Sequence, residues 1–110
     1  MKVEWQGRQR ELKELVDLHR EAVATSETGV AQELALVTSR LQMEYGLWYA
    51  AERTCLETPG GDRNWRLLLR KWQARRRLGS EPQWEDLQRA RELAPEPQRD
   101  LAPELLRELS

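Results

Sequence analysis

A chain of 110 residues with 18 Lys and Arg against 19 Asp and Glu fits one domain with one core, since folding at this size buries roughly 65% of the surface that the unfolded chain exposes. Eighteen Leu, fifteen Glu and fifteen Arg stand against five Val, five Thr and no Ile or Phe, which leaves little to build a sheet from and predicts an all-α domain. A lone cysteine, Cys55, and a lone histidine, His19, exclude a disulfide framework and a Cys/His zinc site within this chain, and no stretch nears the ~20 apolar residues of a membrane span.

The opening "MKVEWQGRQRELKELV" lacks the apolar run of a secretory signal, so the expected location is cytoplasmic. At about 100° per residue, Trp5, Leu12, Leu15, Val16, His19, Ala22 and Val23 share one side of a helix over residues 8–24. "TSETG" at 25–29 follows, with Ser26 or Thr28 as the expected N-cap of a second helix running back antiparallel to the first.

That second helix is expected over 30–57, and it carries two apolar stripes. Val30, Leu34, Val37, Leu41, Tyr45, Trp48 and Cys55 form one; Leu36, Met43, Leu47 and Ala50, nearly opposite, form the other. A helix apolar on two sides needs two partners. The first helix is one; a later helix or a second copy of the chain is the other, which makes Leu36, Met43, Leu47 and Ala50 the candidate self-association face.

"TPGGD" at 58–62 is a strong break, because Pro59 opposes helix continuation and two glycines favour a turn. A third helix over 64–78 has Trp65, Leu68, Leu69 and Trp72 as its expected inner face, with Gly79 placed to end it. "SEPQ" at 80–83 has the form of a capping box for a fourth helix over 81–93. "APEPQRDLAPELLRELS" is punctuated by proline, which divides the chain into a helical domain over 1–94 and a C-terminal extension over 95–110 with a short helix carrying Leu101, Leu105 and Leu109.

Charge is segregated. Residues 63–79 hold seven cations and no anion, while 26–62 and 80–110 each carry four net negative charges. On a continuous helix Arg63, Arg66, Arg70 and Arg77 fall within about 60° of one another, a stripe on the order of 20 Å long, with Arg75 and Arg76 beside it. Arginine forks grip phosphates and exposed tryptophan rings stack on bases, so the stripe suits nucleic acid. Alternatively, the acidic segments fold against it, or an acidic protein partner does; the pI near 5.9 favours this side. A helix-turn-helix comparison at "RRLGSEPQWEDLQRAREL" is weakened by Glu81, Glu85 and Asp86, which phosphates would repel at the start of the recognition helix.

Little points to catalysis. His19 with Glu52 has the chemistry of a proton shuttle, and Cys55 near Arg53 that of a lowered-pKa thiol, yet both lie on core stripes with no third partner. No phosphate-cradling glycine loop, paired-cysteine spacing or acidic metal loop occurs, so no cofactor, metal or small-molecule substrate is expected. Five Trp without a Phe raise the weight of protein contacts, where Trp dominates binding energy. The expectation is a noncatalytic helical subunit that self-associates and joins a larger complex. The alternative is a small DNA- or RNA-binding accessory protein using Arg63, Arg66, Arg70, Arg75, Arg76 and Arg77.

Overall fold

The computed structural model describes the backbone of residues 2–79 and 84–95, and the side chains of residues 7–79 and 84–95. All regular structure among these residues is helical: α1 (Lys2–Ala24), α2 (Thr28–Glu44), α3 (Trp48–Leu56), a single 3-10 turn (Gly61–Arg63), α4 (Trp65–Arg77) and α5 (Trp84–Leu93). Each helix packs on the next in sequence, and α2 also packs on α4. The capping box at 80–83, the side chain of Trp5 and the extension beyond Pro95 lie outside the described residues.

The most extensive packing joins α1 and α2, the expected antiparallel hairpin. Its turn is built differently from the sequence expectation. Ser26 adopts φ 60°, and the N–H groups of Ser26 and Glu27 donate to the carbonyls of Val23 and Ala22 at 3.2 and 3.0 Å. That is a Schellman motif closing α1 with a serine in the left-handed position. Ser26 therefore ends α1 instead of capping α2. Nor does Thr28 cap α2: it is that helix's first residue, preceded by Glu27, which makes no side-chain cap.

The single helix expected over 30–57 is two helices. Gly46 sits at φ +74°, its N–H donates to the Met43 carbonyl at 3.1 Å, and the Leu47 N–H donates to the Gln42 carbonyl at 2.8 Å. This second Schellman closure ends α2 and turns the chain into α3. A lone glycine does not stop a helix by itself. Here the turn lets α3 fold back on α2 and also lie along α4.

Between the two stripes of α2 lies its buried face: Ala31, Ala35, Thr38, Ser39 and Gln42. These small or polar side chains allow neighbouring helices to approach closely. Ala35 meets Cys55 and Leu67 in the central cluster, with Leu36 packed against it. Trp72 and Leu68 are fully enclosed, and Leu87, Ala90 and Ala94 extend the core under α5. Leu67 belongs to the inner face of α4, whereas Trp65 is only half-buried.

Hydrogen bonds fix the connection from α3 to α4. The Asn64 side chain caps α4, accepting from the N–H of Arg66 at 3.1 Å and of Leu67 at 3.4 Å. Gln32 on α2 holds this loop from outside, donating to the Pro59 carbonyl at 3.0 Å and accepting from Asn64 Nδ2 at 3.1 Å. The register of α4 against α2 follows from these contacts.

Candidate interaction surfaces

The basic helix packs against α3 and α5, each of which brings one carboxylate to it. Lys71 Nζ is 3.1 Å from Asp86 Oδ2 of α5, and both side chains are about 15% exposed. Arg75 Nε is 3.8 Å from Glu52 Oε2 of α3. Two of the seven cations are thus drawn inward to carboxylates from the flanking segments. Two more cover tryptophans: the Arg66 guanidinium lies 5.3 Å from the Trp65 ring centre, and that of Arg77 lies 5.6 Å from that of Trp48.

Arg63, expected at the head of the stripe, belongs to the 3-10 turn before the Asn64 cap, so it does not share the axis of α4. Arg76 is half-buried. Arg70 is half-buried as well, and its Nε is closed off from solvent with no hydrogen-bond acceptor. Burial lowers its pKa from the ordinary guanidinium value; Cys55 and Glu44 oppose the shift and Arg40 reinforces it.

Arg70 opens onto a cleft of about 360 Å³ between α2 and α4. Its apolar lining comes from Leu36, Val37 and Leu69, and its cationic lining from Arg40, Arg66 and Arg70. Val37 and Arg40 had no place in the sequence argument for a site. The helical period groups Val37 with the core stripe, and only the direction of α4 across α2 reveals that it remains about half exposed.

The four residues of the expected self-association face are split by the turn at Gly46. Leu36 packs on the central cluster and lines the α2–α4 cleft; Met43 and Ala50 are half-buried; Leu47 is 43% exposed just before α3. Around Leu47 the first turn of α3 meets the last turn of α4 through the Trp48–Arg77 contact, and Tyr49 and Leu78 are exposed there too, Tyr49 at 63%. Trp84, which starts α5, is also largely exposed while its ring lies 5.9 Å from that of Trp72.

The residues that suggested chemistry are placed in structural roles. His19 is buried, with Nε2 2.8 Å from Thr58 Oγ1. Thr58 donates its own proton to the Thr54 carbonyl at 2.6 Å, so the imidazole must donate through Nε2. Glu52 goes to Arg75, and Arg53 to Glu57 at 2.8 Å. Burial pushes the Cys55 thiol up to about 12, against the opposing influence of Arg70, Ser39 and Lys71, so it is not a ready nucleophile. Among the described residues, no three His, Cys, Asp or Glu side chains gather where they could hold a metal ion, and no helix is long and apolar enough to cross a membrane.

Compared with known protein families, curated proteins and solved structures, the chain matches none.

Proposed function

We propose that this protein is a noncatalytic helical subunit that associates with copies of itself and joins a larger protein assembly. One observation carries the reading: Arg77 lies over Trp48, and the residues next to that pair in the chain, Leu47, Tyr49 and Leu78, are exposed. Apolar and aromatic side chains beside an arginine are what the energetic centre of a protein interface is made from. A single buried thiol suits the reducing cytoplasm in which such a subunit would work. The nucleic-acid reading has weaker support. Lys71 and Arg75 are engaged with Asp86 and Glu52, and Arg66 and Arg77 lie over rings that base stacking would need free.

Light scattering on the full chain tests the proposal. The wild type is expected to run as an oligomer, and a Leu47→Glu/Tyr49→Glu variant as a monomer with unchanged helical circular dichroism, because both side chains are already exposed. A wild type that stays monomeric at every concentration, or a variant of unchanged mass, overturns self-association through this end.

A further inference from the structure

The α2–α4 cleft is a separate surface from the Leu47–Tyr49 end, and its chemistry is more specific. Leu36, Val37 and Leu69 give it an apolar floor; Arg40, Arg66 and Arg70 ring that floor, and no carboxylate among the described residues lines it. The exposed Arg40 reaches Glu44 only at 3.6 Å, one turn along its own helix, a pair of the sort that contributes little. Arg66 rests on a tryptophan face with its hydrogen-bond donors uncommitted to any carboxylate among the described residues.

Arg70 is the telling member. Its Nε is shut off from water and has no acceptor, although guanidinium groups removed from water are normally paired. Arg40 stands close enough to repel it, and Glu44, one turn further along α2, offsets part of that repulsion. A carboxylate entering the cleft would offset the mutual repulsion of the three cations that line it without having to reach the enclosed Nε, and the apolar floor would strengthen the contact.

Size and spacing narrow the ligand. A cleft of about 360 Å³ admits a few side chains and not a folded domain. On α4 its lining runs from Arg66 to Gln73, about 10 Å at 1.5 Å per residue, the length of two helical turns. Arg66 and Arg70 are four residues apart, so they lie on one face at the spacing that matches carboxylates four apart on a facing helix. Single-stranded nucleic acid would meet the cations but leave the aliphatic floor wet, since among the described residues no aromatic ring lines that floor for a base to stack on.

We propose that the α2–α4 cleft binds a short acidic amphipathic helix of a partner protein, with leucine-type side chains on Leu36, Val37 and Leu69 and carboxylates on Arg66 and Arg70. This rests on the reading of the chain as an interaction subunit and names the partner chemistry for a surface other than its self-association end.

The test is fluorescence anisotropy with the full chain and a labelled 15-residue probe of Leu, Glu, Ala and Gln, with Leu pairs and Glu pairs each recurring four residues apart. The wild type is expected to bind this peptide at least tenfold more tightly than a probe with every Glu replaced by Gln. Val37→Glu and Arg66→Glu, both at exposed positions, are each expected to weaken binding at least tenfold. Arg91→Glu, an exposed charge reversal on α5, serves as the control for overall field and is expected to leave affinity within twofold. No binding, equal binding of the Gln probe, or equal losses in Arg91→Glu and Arg66→Glu would overturn the inference. Light scattering on the same variants separates the two proposals. If Val37→Glu alone dissolves the oligomer, the cleft holds a second copy, and both this inference and self-association through the Leu47–Tyr49 end fail; if only Leu47→Glu/Tyr49→Glu dissolves it, self-association through that end stands and the peptide titration alone decides this inference.

Discussion

His19 illustrates how a single side chain couples packing to solution conditions. It joins α1 to Thr58, just past the end of α3, and the relay continues from Thr58 to the Thr54 carbonyl. Burial holds the imidazole below its usual pKa; Glu57 opposes this and Arg20 adds to it. The folded protein therefore resists a proton that the unfolded chain accepts, and stability must rise with pH across that interval. The His19 contribution is complete above the ordinary imidazole value of about 6.5 and is lost as pH falls from there toward the depressed folded value. One proton limits the loss to about 1.4 kcal/mol per pH unit. Urea midpoints at steps between pH 7.5 and 5.5, above the ordinary carboxylate range, should fall for the wild type and stay nearly flat for His19→Gln. Equal slopes in both would show that His19 does not carry the pH dependence. Its place on an apolar stripe was legible in the sequence, but its partner was not, because Thr58 lies in a loop whose path depends on where α3 ends.

At the level of elements, the two Schellman turns predict substitutions of opposite sign. Ser26 is held at φ 60° with an exposed side chain, a conformation that a Cβ opposes and glycine does not. Ser26→Gly is expected to stabilise the protein by roughly 0.5–1 kcal/mol, part of the relief being offset by the extra freedom of glycine in the unfolded chain. Gly46→Ala is expected to destabilise it by about 1 kcal/mol. The added Cβ would meet only Trp48 Cζ2, at 3.8 Å, so the cost is conformational and not steric. Chemical denaturation of both variants checks the signs; a stabilised Gly46→Ala would mean that α2 and α3 merge without penalty. The same region marks the limit of what periodicity reveals. Leucine spacing and the Pro-Gly-Gly break located α4 and the end of α1. But α1 begins at Lys2, six residues before the expected start at residue 8, and α2 begins at Thr28 and not at residue 30. The buried face of α2 was invisible, because Ala31, Ala35, Thr38, Ser39 and Gln42 carry no hydrophobic signal and are buried for being small or hydrogen-bonded. A helix that looks apolar on two sides is instead a helix whose small-residue face is clasped between two leucine shoulders.

For the whole molecule, charge segregation along the chain becomes charge compensation in space. Six of the seven cations of residues 63–79 lie on α4, whose packed neighbours α3 and α5 supply Glu52 and Asp86. Sequence order already hinted at this, since an acidic segment stands on each side of the basic one; which cations are engaged depends on the helix rotations, and those follow from the Asn64 cap and the turn at Gly46. If compensation governs the surface, nucleic-acid affinity is latent and not absent. Anisotropy titrations with labelled DNA and RNA should then show weak binding by the wild type at low salt. The Glu52→Gln/Asp86→Asn variant, which frees Arg75 and Lys71, should bind more tightly. Each freed cation that reaches a phosphate adds about one counterion to the salt dependence, so the logarithmic slope should steepen by up to about two. Tight, steeply salt-sensitive binding by the wild type, unchanged by the double substitution, would mean that Arg63, Arg66, Arg70, Arg76 and Arg77 suffice for phosphate contact. The arginine helix would then be a nucleic-acid handle despite its acidic neighbours.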